Sequence, residues 1–494
     1  MLVDLLGRAR AALRPALIVA AALAAVTGPL SPAAAQMSTA PPTNAPPTGG
    51  GNDMPPMGGD MPMGGMPMGG MPGMGGDMPG GNMPEDPAAG SGAGDWMSNP
   101  MLMRREGDRR SNDRMARLMP PPSTADDGEA YIPDEVVITV ARSTSPEQIK
   151  ELLGRNKVYV IEQTDSELGG VIMIRARILD QRPVTATAAT IAADGNVLLA
   201  APNFVYRLQR APAAQSSAAP PLQYSLASLR LPQAHGVARG DAVLVGMIDS
   251  AVDPNHPDLD GTIAAIFDAT AGGPGAHPHG TAVASLIAGH GKLTGSAPAA
   301  RLLVARAFDN RNSKGNSFTV LKSIDWLAGR GARIINMSFA GAADPTVRRL
   351  INAAYARGIV LIAAAGNAGP NSPPLYPAAE PKVIAVTATD SGDRLYGAAN
   401  RGGYIAVAAP GVDVFVAAPD GGYGIQSGTS FSAAEISGIA ALMIQRHPKL
   451  TPDQLRAQLV ASARAAGAGV KVADAYRAVT AGTTAAAGKP KRRR

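Results

Sequence analysis

Cysteine is absent from all 494 residues. That single gap excludes disulfide frameworks, thiolate zinc sites, iron–sulfur clusters, cysteine nucleophiles and a lipidated N-terminal cysteine together. Long apolar runs are missing too: the strongly apolar stretch at 16–26 falls well short of the roughly 20 residues that span a bilayer, so no transmembrane segment is expected. A broad charge of one sign is also lacking. The formal net charge is +6, but residues 1–36 carry +2 and the tail Lys489, Lys491, Arg492, Arg493 and Arg494 carries +5, which leaves −1 for the rest. A nearly neutral body has no electrostatic footprint for a polyanion, so a nucleic-acid partner is excluded.

What the sequence has in excess is glycine (57) and proline (43), beside 45% apolar residues, so a foldable body coexists with stretches that cannot bury a core. Arg8, Arg10 and Arg14, the apolar run 16–26 and the small-residue site Ala33-Ala34-Ala35 form the three parts of a secretory signal peptide over 1–35, which predicts export to a periplasmic, extracytoplasmic or extracellular compartment. Residues 36–130 read as a disordered low-complexity linker. Within it, 27 of the 50 residues from 41 to 90 are glycine or proline, and the repeat around Met61-Pro62-Met63-Gly64-Gly65 has neither a helical nor a strand period. Ten methionines lie between Met54 and Met83. Such thioethers suit copper(I), yet no histidine or cysteine accompanies them, and a flexible, oxidant-absorbing tether is the plainer reading.

Ordered structure is expected from Tyr131. A strand over 135–140, a helix opened by Ser145-Pro146-Glu147-Gln148, strands over 157–163 and 171–177, a helix over 182–193 and a strand over 197–208 follow in order. That is a ferredoxin-like α+β pattern for a domain at 131–209. Residues 210–222, rich in Ala, Ser and Pro, form a linker of the kind that proteases cut. From 223 to 480 apolar strands (243–248, 302–307, 333–336, 359–364 and 383–386) alternate with helices after His279, Ser317 and Pro345, which predicts an α/β domain with a parallel sheet between helix layers. Residues 481–494 form a basic tail.

Working residues of such sheets gather at strand ends and helix starts, and three segments sit there: Ile248-Asp249-Ser250, His279-Gly280-Thr281 and Gly428-Thr429-Ser430. Taken singly they read as a turn residue, a structural histidine and a helix N-cap. Taken together, Asp, His and Ser occur in one of the known triad orders. At these blocks, with His256-Pro257-Asp258-Leu259, Ala363-Ala364-Ala365-Gly366-Asn367 and the closing Val470-Lys471-Val472-Ala473-Asp474-Ala475, the sequence resembles the subtilisin-like serine proteases, or subtilases.

The resemblance implies a three-layer subtilisin-like fold and a serine endopeptidase acting on protein or peptide substrates. It assigns Asp249, His279 and Ser430 to the triad, Asn367 to the oxyanion hole, and Ser338, Phe339, Ala340 and Gly366 to substrate binding. It also implies that domain 131–209 is an inhibitory propeptide, with self-cleavage between Gln209 and Tyr224. Ala251, Ala340 and Ala434 depart from the family pattern: Ala251 is expected to crowd a tight turn and Ala340 to narrow the pocket. No cofactor or metal is predicted. Asp258 matches a family calcium ligand, but calcium takes six to eight oxygens and most of that cage is missing. No oligomer signal is present, so a monomer is expected. The competing reading is a surface scaffold with an idle protease fold, in which the Met-rich arm does the work.

Overall fold

The computed structural model describes residues 130–209 and 222–481, apart from 271, 274, 467, 468 and 470. The signal peptide expected over 1–35, the Met/Pro/Gly-rich segment, nearly all of the linker at 210–222 and the basic tail beyond Ala481 lie outside the described residues.

The first described domain runs β1 (Tyr131–Ala141), α1 (Pro146–Arg155), β2 (Val158–Ser166), β3 (Val171–Ile178), α2 (Val184–Ala192) and β4 (Val197–Leu208). Its strands pair antiparallel in the order β4-β1-β3-β2. Local chemistry starts α1: the Ser145 hydroxyl accepts from Gln148 N–H at 3.2 Å, the Gln148 side chain accepts from Ser145 N–H at 2.8 Å, and Pro146 fills the first helical position. On β1, Val136, Ile138 and Val140 pack against the two helices, whereas Val137 points the other way, with Val171, Met173 and Ala201. That second face is covered by helices of the larger domain, so the strand is buried on both sides and reads as a continuous apolar run. Glu135 is buried at the same place, offset by a two-pronged bond from Arg175 (2.8 and 2.9 Å) and by the Asn203 amide at 2.7 Å.

The larger domain contains β5 (Leu244–Asp249), β6 (Ile263–Asp268), β7 (Arg301–Arg306), β8 (Lys314–Asn316), β9 (Ile334–Met337), β10 (Phe339–Gly341), β11 (Val360–Ala364), β12 (Ile384–Thr389), β13 (Ile405–Pro410), the hairpin β14 (Val414–Ala418) and β15 (Gly422–Gln426), β16 (Arg464–Ala465) and β17 (Lys471–Val472). Its helices are α3 (Tyr224–Ser228), α4 (Leu231–His235), α5 (Pro278–Ala288), α6 (Ser317–Gly329), α7 (Pro345–Ala356), α8 (Thr429–Arg446), α9 (Pro452–Ser462) and α10 (Ala475–Thr480). The main sheet has the order β16-β17-β13-β12-β11-β9-β5-β7-β6 and is parallel from β17 to β6. The chain leaves β5 toward β7 on one flank and returns to β9 on the other. The connections therefore diverge at β5, and a cleft opens at its carboxyl end, where Asp249 stands.

Alternation along each strand divides the core. Val245, Met247, Val304 and Ile362 meet α5 and α8 on one face, while Ile248, Leu303, Ile335 and Leu361 meet α6 and α7 on the other. β5, β7, β9, β11 and β12 occupy the stretches read as strands from sequence. β6 and β13 were not anticipated, because alanine-rich Ile-Ala-Ala-Ile-Phe-Asp and Ile-Ala-Val-Ala-Ala-Pro carry a weak strand signal that pairing overrides.

Helix α8 crosses the centre of the domain, with every residue from Thr429 to Ile444 buried. Small residues allow this: a Cβ at Gly438 would lie 2.4 Å from the Ser296 Cβ. The same helix buries Glu435, whose partners are the hydroxyls of Ser296 and Ser225. Loss of water there pushes its carboxyl up to about 7 from an ordinary 4.5. Between those values the folded chain holds a proton that the unfolded chain has released. Stability is therefore greatest below the unfolded value, falls as pH rises through that window, and levels off above the folded one, a cost on the order of 3 kcal/mol. Glu435→Gln is expected to raise the melting temperature at pH 8 by several degrees and to flatten this slope, measured by thermal unfolding at pH 5 and pH 8 in a Ser430→Ala background.

Candidate active site

β5 delivers Asp249, fully buried, to the floor of the cleft. Its Oδ1 accepts from the Ser250 N–H at 2.7 Å, the Ser250 hydroxyl at 3.1 Å and His279 Nδ1–H at 2.7 Å. With Nδ1 taken up by Asp249, the other ring nitrogen of His279, Nε2, is buried with no hydrogen-bond partner among the described residues. The closeness of the pair depends on glycine. A Cβ at Gly280 would lie 2.6 Å from the Ala251 carbonyl oxygen, so only glycine lets the start of α5 reach the end of β5. His277 caps α5 by accepting the His279 N–H through Nδ1 at 3.2 Å, and Pro278 fills its first position. Ala251, expected to crowd the turn, is buried and is not among the residues with positive φ, so it adds no backbone strain.

Ser430 enters at the start of α8, after Gly428 with φ 155°. Phe431 beside it tilts against His279, ring centroids 5.7 Å apart, which brings the start of α8 to the imidazole. Its hydroxyl does not bond Nε2; it donates to the Ser338 carbonyl at 3.1 Å, while the Ser338 hydroxyl donates to the Ser430 carbonyl at 3.1 Å. Three further residues, not singled out from sequence, hold the constellation. Asn336 donates to Ser338 Oγ at 2.9 Å, and Ser437 donates to Asn336 Oδ1 at 3.1 Å. Thr429 donates from both its N–H (3.1 Å) and its hydroxyl (3.0 Å) to Asn367 Oδ1, which turns the Asn367 amide nitrogen into the cleft. Gly366 has φ 110°, and a Cβ on it would meet Leu375 at 2.8 Å.

The cleft already contains a peptide. β4 of the smaller domain pairs antiparallel with β10 on one side, in the register Phe339 with Leu208, Ala340 with Arg207 and Gly341 with Tyr206. On the other side it pairs with β8, Val205 with Asn316, Tyr206 with Gly315 and Arg207 with Lys314. One residue on, the Gln209 carbonyl accepts from Asn367 Nδ2 at 3.1 Å, and the Gln209 side chain accepts from Asn367 N–H at 2.9 Å. Phe339 and Ala340 thus line the peptide along β10, and Ser338 lies under Ser430. An imidazole backed by a carboxylate, a serine at the start of the helix that meets that ring, and an amide donor resting on a peptide carbonyl are a set of groups suited to acyl transfer.

Residues 240–485 match the sequence profile of the subtilase family. Thermitase of Thermoactinomyces vulgaris is 34% identical over 230 residues, which cover 45% of this chain and 81% of thermitase. Subtilisin of Bacillus pumilus is 33% identical over 250 residues, 49% of this chain and 90% of that protein. Among solved structures, fervidolysin of Fervidobacterium pennivorans superposes with a TM-score of 0.60 at 22% identity, over 72% of this chain and 62% of the other, a likeness of fold. No helix of the described residues is long and apolar enough to cross a membrane. The chain belongs to the subtilase family, with a subtilisin-like α/β fold, and is a serine-type endopeptidase.

Proposed function

We propose that this endopeptidase is exported, works as a monomer through Asp249, His279 and Ser430, and carries domain 131–209 as its own inhibitory propeptide. One observation carries the reading: a strand clamped on both sides ends with the Gln209 carbonyl on the Asn367 amide, beside Ser430. In the reaction the Ser430 hydroxyl rotates away from Ser338 and gives its proton to His279 Nε2 as Oγ bonds the carbonyl carbon. The carbonyl electron pair moves onto oxygen, which the Asn367 Nδ2–H and the Ser430 N–H stabilise. Asp249 holds the imidazolium, which returns the proton to the departing nitrogen as the C–N bond breaks. Water then repeats the sequence on the acyl-enzyme, with His279 again as base.

The carbonyl that rests on Asn367 belongs to Gln209, which supports Gln209–Arg210 as the self-processing bond within the stretch between Gln209 and Tyr224. After that cut β4 remains paired with both edges, and the apolar face of its sheet remains under α6 and α7, so the product blocks the cleft. Polar contacts add to the hold: the Ser166 hydroxyl (2.5 Å) and Leu168 N–H (3.0 Å) meet Asp325, and Lys322 meets Glu162 at 2.6 Å. The idle-scaffold alternative draws no support from a site in which each expected group is present, and its Met-rich arm lies outside the described residues.

Calcium has no part in this reading, because the donors at Asp258 are spent. Asp258 Oδ1 accepts from Lys292 N–H at 2.7 Å and the Tyr423 hydroxyl at 3.0 Å, and Oδ2 accepts from Leu293 N–H at 2.9 Å. The Lys292 ammonium lies 4.5 Å from the Tyr423 ring centroid, so a cation of the chain's own stands nearby. These residues do not fit a calcium cage.

Wild-type protein is expected to acquire an N-terminus at Arg210, and Ser430→Ala to accumulate uncut, as read by N-terminal sequencing; identical processing in both assigns the cut to another protease. Asn367→Ala is expected to lower kcat by about 100- to 1000-fold with a much smaller effect on KM, measured on a peptide substrate. The melting temperature of the Ser430→Ala protein is expected to be the same in EDTA and in millimolar calcium, and a rise of several degrees with calcium would refute the metal-free reading of Asp258.

A further inference from the structure

A cavity of about 590 Å³ lies apart from the peptide cleft, walled by the connection from β12 to β13, the first half of β13, one side of α9 and the stretch that leads into β17. No residue of the triad, of β8 or of β10 is in its wall. Its size falls within the roughly 300 to 1,000 Å³ of small-molecule sites. Part of the wall is set in advance by Asn400, which is fully buried. Asn400 Nδ2 donates to the Pro373 carbonyl at 3.2 Å, Oδ1 accepts the Ala368 N–H at 2.9 Å, and its own N–H donates to the Gly366 carbonyl at 3.0 Å. A preformed wall costs little ordering when a ligand enters.

Three cations, Arg401, Arg456 and Lys471, share this wall, and no carboxylate does. Carboxylates in the flanking segments are taken: Asp390 by Arg394 at 2.8 Å, Asp393 by Arg464, and Glu380 by Arg348 at 2.9 Å. Asp453, one turn before Arg456, is exposed and outside the wall. Arg456 is anchored by Nη1, which donates to the Pro381 carbonyl at 2.9 Å and leaves the rest of its fork of donors for another acceptor. Like charges around one cavity repel, and an anion between them replaces that repulsion with attraction. A separate observation points the same way. Thr387, also in the wall, is 3% exposed, and its hydroxyl is buried with no hydrogen-bond partner among the described residues. An unmade hydrogen bond is costly there, and a ligand oxygen supplies the missing partner. Much of the remaining wall is aliphatic, with Leu395, Ile405, Val407 and Val460.

We propose that this cavity is a binding site for an aliphatic organic anion, a carboxylate head on a hydrocarbon body, separate from the peptide cleft. The head lies among Arg401, Arg456 and Lys471, where a guanidinium offers parallel N–H bonds to both carboxylate oxygens and the Thr387 hydroxyl donates to one of them. The body rests on Leu395, Ile405, Val407 and Val460. Both parts are needed. Arg401 and Lys471 are exposed, so water and salt weaken their hold on a small anion, whereas burial of the hydrocarbon adds a contribution that salt does not screen.

The test is isothermal titration calorimetry on the full Ser430→Ala chain with octanoate, octan-1-ol, octylammonium and inorganic phosphate. Octanoate is expected to bind once per chain, roughly tenfold or more tighter than octan-1-ol or phosphate, and octylammonium is expected not to bind. The double variant Arg401→Gln, Lys471→Gln changes two exposed side chains, so it is expected to keep its melting temperature and to weaken octanoate by roughly tenfold or more. Thr387→Val removes a hydroxyl that has no partner in the empty cavity. It is expected to melt at the same or a higher temperature while binding octanoate several-fold more weakly. The proposal is overturned if octanoate shows no saturable binding, if octan-1-ol, octylammonium or phosphate binds as tightly, or if octanoate affinity is unchanged in both variants.

Discussion

A single buried oxygen, Asp249 Oδ1, takes three donors at the point where the connections of the sheet diverge, and the placement of every other group in the cleft follows from it. Burying a carboxylate is costly unless its oxygens find donors; Oδ1 finds three, one of which orients the imidazole, while Oδ2 is buried with no hydrogen-bond partner among the described residues. With Nδ1 bound, His279 presents Nε2 toward the start of α8. The close approach rests on Gly280, because any larger residue would push α5 off the end of β5.

The same cleft shows how the smaller domain is held. Its sheet buries one face against its own helices and the other against α6 and α7, and its last strand fills a gap between two edges that would otherwise expose unpaired backbone groups. Hydrogen bonds from two edges, together with an apolar face, hold β4 in the cleft more firmly than strand contacts alone would hold a short peptide. On the proposed reading, inhibition and substrate recognition are one geometry, with the difference supplied by the rest of the domain.

The site was legible in the sequence to an unequal degree. Asp249, His279, Ser430 and Asn367 sit in short blocks whose residue types state their chemistry. Thr429, Asn336 and Ser437 do not: a buried hydroxyl or amide looks the same in sequence whether it positions a catalytic group or caps a helix. Nothing in the local sequence marks Glu435; what gives it weight is burial among hydroxyls rather than cations. β6 and β13 escaped notice because alanine-rich strands owe their existence to pairing with neighbours far along the chain.

The sequence by itself pointed to the family, the alternating order of strands and helices and the four residues to which the chemistry is assigned here, because these are properties of local residue type and spacing. Only the tertiary structure decided that the Ser430 hydroxyl rests on Ser338 and that β4 lies between β8 and β10 with its end at Asn367. Each of these joins residues separated by about a hundred positions or more, and such contacts arise from the packing of whole elements, which no short window of sequence encodes.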